Sequence, residues 1–120
     1  MDPGSVHIIA AGEYSQEKIW CWGGATKENP AFIRGLDPSN KPIIRTSIDF
    51  SYGVELKYII IENLKFEGAN VQLTSAVSNP IHHTHHIAVR NCDFDGGRPV
   101  INGYYSSPTE HIVLYNNVIH

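Results

Sequence analysis

The segment "IHHTHHIAVRNCDFDGG", residues 81–97, places four histidines (His82, His83, His85 and His86) within five positions. Imidazoles at that density are candidate zinc ligands, and a histidine near its ordinary pKa is a candidate proton acceptor. A zinc site needs three or four ligands converging on one point. Strand alternation would send His82 and His86 one way, and His83 and His85 elsewhere or into a turn. The division favours a polar corner in which His86 lies outside and stacks on its neighbours. A loop metal site from two or three of His82, His83 and His85 is the alternative, and a catalytic base is a third reading. No metal ligand is assigned.

Aromatic side chains are the other candidates. "KIWCWGG" and "NGYYSS" set Trp20, Trp22, Tyr104 and Tyr105 beside polar residues. A ring with an apolar face and a polar handle suits a sugar, and equally a core or an interface. Tyr104, Tyr105 and Trp20 are the candidate substrate contacts. No phosphate-binding loop, dinucleotide fingerprint, nucleophile elbow or HExxH motif occurs.

These residues need elements to position them, and bulk properties limit the choice. A chain of 120 residues suffices for one domain, residues 1–120, with 42% apolar residues and 18% charged ones. A net charge of -3 offers no basic footprint for nucleic acid. The longest apolar runs, such as "YIII", are too short to span a bilayer, so neither nucleic acid nor membrane is an expected partner. The opening "MDPGSVHIIAAGEY" lacks a positive region followed by an apolar one, so no signal peptide is read there and the compartment stays unassigned. Cys21 and Cys92 form neither a zinc signature nor a disulfide framework, and are read as buried thiols.

The positioning device is a repeat. "PAFIRGLD" from Pro30, "YIIIENLKFEG" from Tyr58 and "HIAVRNCDFDG" from His86 align without gaps at offsets of 28, and "HIVLYNNVIH" from His111 follows after 25. Residues 1–29 hold a degenerate first copy, and residues 30–120 the repeats of 25–28 residues. Each copy is short, β-branched and closed by Gly or Asn, which is strand-and-turn chemistry. The columns Ala31, Ile59, Ile87, Ile112 and Ile33, Ile61, Val89, Leu114 would face a common interior. Arg34, Glu62 and Arg90 alternate in sign down one column, and Asp37, Lys65 and Asp93 down another, as outward charge ladders. The turn column is Gly35, Asn63, Asn91 and Asn116, residues that tolerate left-handed backbone. Its asparagines Asn63, Asn91 and Asn116 would form a structural ladder. Phe66, Phe94 and Ile119 make a further apolar column.

A period of 25–28 residues with about three short strands per copy describes an all-β solenoid. The turn Asn after an "IxIxN"-like strand, the inward aromatic three residues later, and "HHIAVRNCDFDGG" and "YIIIENLKFEG" resemble the right-handed parallel β-helices of the pectate-lyase-like superfamily. "GGATKENPAFIRGLDPSNKPII" resembles the N-terminal part of polysaccharide lyases in that group. The resemblance implies a right-handed, single-stranded parallel β-helix of about four to five coils, truncated or uncapped after "HIVLYNNVIH". It further implies a carbohydrate-active protein acting on an acidic polysaccharide by β-elimination or hydrolysis, with the catalytic residues largely outside this chain. An extracellular or cell-surface setting follows from the same likeness.

Calcium is the cofactor such a likeness allows, held by six to eight oxygens. Asp93 and Asp95 share a strand face, and Asp49 and Glu55 flank "FSYGV", but no acidic cluster converges by register. The competing expectation is a non-catalytic solenoid whose copies stack end to end into oligomers or fibres, because an uncapped coil leaves unpaired strand edges.

Overall fold

The computed structural model describes residues 2–15, 19–20, 24–49, 56–74, 84–102 and 109–120. Side chains are described for these except at 19, 20, 49, 74, 101 and 102. The described residues are all-β, with parallel strands in three sheets and no helix. The first sheet runs β1 (Val6–Ile9), β4 (Ala31–Gly35), β7 (Leu56–Glu62), β10 (Thr84–Arg90), β13 (Glu110–Tyr115). The second runs β2 (Glu13–Tyr14), β5 (Ile43–Ile44), β8 (Lys65–Glu67), β11 (Asp93–Asp95), β14 (Val118–Ile119). The third runs β3 (Ile19–Trp20), β6 (Ile48–Asp49), β9 (Val71–Thr74), β12 (Pro99–Asn102). The chain visits the sheets in turn and returns to each one strand further along, an arrangement compatible with a solenoid.

Pairing sets the stacking. Ala31, Ile59, Ile87 and Ile112 are direct partners down the first sheet, as are Ile33, Ile61, Val89 and Leu114. In the second sheet Ile44, Phe66, Phe94 and Ile119 are partners. The Phe66 and Phe94 rings stack with centroids 4.9 Å apart and planes 9° from parallel. Ile59, Ile61, Phe66, Val71, Leu73, Val89 and Phe94 are fully buried. Burying each such side chain contributes about 1.5–3 kcal/mol, so a few columns supply most of the driving force.

The turn column has two physical causes. Asn63, Asn91 and Asn116 adopt φ of 59°, 52° and 53°, the left-handed region that Asn tolerates best among residues with a Cβ. Asn116 Nδ2 donates to Asn91 Oδ1 at 2.8 Å along the stack. Beside them Asn117 Nδ2 donates to the Val89 carbonyl at 2.9 Å, and the Cys92 N–H donates to Asn117 Oδ1 at 3.0 Å, bracing the same turn. Gly35 precedes this ladder for a different reason, since its φ is not left-handed. A Cβ at Gly35 would stand 2.1 Å from the Asn63 carbonyl oxygen, so close backbone approach requires the glycine.

The second charge ladder is corrected in one place. Lys65 and Asp93 are partners, but the place expected for Asp37 is held by Ile43. Residues 36–42 separate β4 from β5, whereas only Asn63 and Leu64 separate β7 from β8. Asp37 sits in that longer loop, where its Oδ1 accepts from the Ser39 N–H at 2.9 Å and hydroxyl at 2.7 Å. Both hydrogen bonds hold its carboxyl below the usual range. Lys41, from the same loop, pairs with Asp93 at 3.2 Å, an ion pair the column did not include. Of the two cysteines, Cys92 is buried, and burial pushes its thiol up to about 11; Cys21 lies outside the described residues.

Two glycines separate the two causes. Gly68 has φ of 61° and open space where a side-chain methyl would point, so Gly68→Ala costs only the left-handed penalty of about 1–2 kcal/mol. Gly35→Ala drives a methyl into neighbouring backbone and costs about 3 kcal/mol or more. Urea unfolding of the two variants should rank them in that order, and equal costs would refute the close-approach explanation of Gly35.

Candidate functional site: the outer face of the five-stranded sheet

The outer face of the first sheet is built of columns. Val6, Phe32, Ile60, Ala88 and Val113 are consecutive partners and form an apolar stripe across all five strands. Its outer members Val6 and Val113 are 48% and 57% exposed. Next to it runs a ladder of Ile8, Arg34, Glu62, Arg90 and Tyr115. Glu62 accepts from Arg90 Nε at 2.6 Å and lies 3.1 Å from Arg34 Nε, the latter an ion pair without hydrogen-bond alignment. One nearly buried carboxylate thus faces two guanidiniums, which leaves this column net positive. The Arg34 guanidinium also sits 4.1 Å from the Phe32 ring centroid, a cation–π contact that ties ladder to stripe.

On the other side of the stripe stands the column that alternation from Ile87 places outside, but its backbone departs from a regular strand. Tyr58, His86 and His111 have φ of 54°, 53° and 54°. A left-handed residue inserts one extra outward position in each strand. Hence Leu56 and Ile59 are both buried with two less buried residues between them, and so are Thr84 and Ile87. His85 and His86 therefore share the outer side, where alternation would separate them. Their Nδ1 atoms are 2.7 Å apart, so one ring donates and the other accepts. The His86 ring is sandwiched between Tyr58, with centroids 4.7 Å apart, and His111, at 4.5 Å. Lys57, His85 and Glu110 are partners just before this column.

The three stacked rings, the strand backbone beside them and Lys27 with Pro30 enclose a groove of about 460 Å³. Ile60, Ala88 and Val113 of the apolar stripe form part of its wall. Bulky residues held left-handed cost about 1–3 kcal/mol each, and such strain concentrates at functional sites. Ring stacking offsets part of it, about 0.5–1.5 kcal/mol per aromatic pair.

The other candidates are placed as follows. Trp20 lies in β3, where it pairs with Asp49, and its side chain is outside those described. Tyr104, Tyr105, Trp22, His82, His83 and Glu55 lie outside the described residues. Among the described residues no group of three or more His, Cys, Asp or Glu is arranged around a common metal position. Several of the described carboxylates are engaged by cations. Asp93 pairs with Lys41, Glu62 with two arginines, and Glu13 and Glu67 with Arg45 at 3.0 Å each. The Arg45 contacts lower the Glu13 pKa and raise that of Arg45. The signal for the extra outward position, which brings His85 beside His86, is in the sequence: inward apolar residues three apart, as in Leu56-x-x-Ile59, break a period of two.

Comparison of the chain with protein-family models, with curated proteins and with solved structures gives no match.

The stack has a titration consequence. Partial removal from water lowers the His86 pKa, and the neighbouring His111 and His85, with Lys27, push it the same way against Glu110. A histidine in the unfolded chain titrates near 6.5. The unfolded chain therefore takes up a proton before folded His86 does. The contribution of neutral His86 to stability is complete above that value and is lost as pH falls below it, down to the folded pKa. Urea midpoints should drop from pH 7.5 to pH 5, and His86→Phe, which keeps a ring but no proton site, should flatten the profile. An unchanged slope in that variant would assign the dependence to other groups.

Proposed function

We propose that the chain is a right-handed, single-stranded parallel β-helix of a carbohydrate-active protein, and that the outer face of its five-stranded sheet binds an acidic polysaccharide. The observation that carries this reading is the groove beside the Tyr58–His86–His111 stack. It combines an apolar wall, a row of polar ring edges and the Lys27 ammonium. The net-positive Arg34–Glu62–Arg90 column lies across the stripe from it. Columns of equivalent groups about 4.8 Å apart offer an extended chain the same contacts at each step. Sugar rings have apolar faces and hydroxyl edges, and uronate carboxylates add negative charge, which matches this combination. β-Elimination or hydrolysis is the reaction assigned to the whole protein, with its catalytic groups outside the described residues.

Amide-resolved NMR titration tests the reading with two probes, a galacturonate tetramer and a neutral maltotetraose. The galacturonate tetramer should shift resonances of β7, β10 and β13, and Lys27→Ala should weaken it about fivefold, a loss near 1 kcal/mol. Maltotetraose should bind more weakly. Shifts confined to other surfaces, or none, would remove the proposal.

A second reading, self-association by end-to-end stacking, is favoured by a separate observation. Leu114 and Ile119 belong to interior columns yet are 46% and 58% exposed, with Tyr115 and Val118 beside them. Sedimentation velocity separates the readings: concentration-dependent growth into large species that Leu114→Glu abolishes supports stacking, and a monomer at all concentrations excludes it.

A further inference from the structure

We propose that the groove is a proton-linked anion site, in which a carboxylate-bearing glycan binds together with proton uptake by His86, the central ring of the stack. This rests on the polysaccharide reading and adds to it a coupling between ligand and pH. His86 and His111 are stacked 4.5 Å apart and line the same groove as Lys27. The charged and titratable groups facing the stack come from each neighbouring element. They are Tyr58 and Lys57 on β7, His85 on β10, Glu110 on β13, and Lys27 in the segment before β4.

In the free protein this setting disfavours a positive charge on the His86 ring. Two stacked imidazolium rings repel one another, and Lys27 adds a third cation to the same space. Glu110, 4.0 Å from His111 Nε2, offsets one charge only. His85 presses in the same direction: its Nδ1 contact with His86 at 2.7 Å needs one nitrogen bare, so charging both rings breaks it. These neighbours hold His86 toward its neutral form.

A carboxylate placed in the groove inverts this balance. It brings negative charge against Lys27 and the imidazole edges, so the protonated His86 ring gains a partner at the moment of binding. Linkage is reciprocal, so a ligand that raises the proton affinity of the stack binds more tightly once the stack is protonated. The ligand itself does not titrate over the relevant range, because sugar carboxylates of this type ionise below about pH 4. Any change between pH 7.5 and 5.5 therefore belongs to the protein.

The test is calorimetric titration of the full chain with a galacturonate tetramer at pH 7.5 and 5.5, at fixed ionic strength. Two buffers of different ionisation enthalpy count the protons taken up. Affinity should rise about tenfold toward pH 5.5, with uptake of up to about one proton, and the His86 Cε1–H resonance should titrate at higher pH when ligand is present. The fully methyl-esterified tetramer should show no such rise. The H86F/H111F double variant keeps both rings and should bind with an affinity independent of pH. Equal affinity of the wild type at both pH values, with groove resonances still shifting, overturns the coupling and leaves the polysaccharide reading standing. A pH dependence retained in the double variant or shared by the ester also overturns it. Absence of binding at either pH overturns both. Proton counting needs only the wild-type chain, so the result stands even where the variant misfolds.

Discussion

The parallel pairing of β7 with β10 fixes the position of every other group in the molecule. Its register matches Leu56 with Thr84, Ile59 with Ile87 and Glu62 with Arg90, so each side chain is held directly over its equivalent in the neighbouring repeat. In such a lattice a residue type is never chosen once. An inward isoleucine extends a continuous hydrocarbon column, and the Phe66–Phe94 stack is the aromatic form of the same device. Although Glu67 and Asp95 are like-charged partners in the second sheet, charges down a column of the first can alternate. Arg34, Glu62 and Arg90 do so, and this lets Glu62 be nearly buried between two guanidiniums without the penalty of a lone buried carboxylate.

The parts of this architecture that obey a fixed offset are legible in the sequence. Ile59, Ile61, Asn63 and Phe66 recur at Ile87, Val89, Asn91 and Phe94, and these are direct neighbours in the structure. What escapes is each place where the backbone departs from the offset. Asp37 aligns by number with Lys65, but the loop at 36–42 shifts the true partner to Ile43. Gly35 is legible as a turn residue, while its cause, the carbonyl of Asn63 across the strand pair, exists only once the pair is formed. A period of two sends His85 and His86 to opposite sides, and a single left-handed dihedral places them together.

That dihedral distinguishes two corners that the backbone treats alike. At 63, 91 and 116 the left-handed turn is occupied by Asn, the side chain that accepts it at least cost and offsets part of that cost with a hydrogen bond along the stack. At 58, 86 and 111 the same dihedral is adopted by Tyr and two His; His is itself enriched among left-handed residues, and the bulky Tyr58 is the costly member. Stacking offsets some of the strain, but phenyl rings would stack as well without carrying titratable nitrogens. What distinguishes Tyr and His from Asn and Phe alike is a flat ring with a polar edge. That edge lines the groove with Lys27, beside the apolar stripe of the sheet's outer face. Backbone strain, ring stacking and surface chemistry thus converge on the same three residues. The first corner is explained by the fold alone; under the proposed reading, the second supplies the polar edge of the groove.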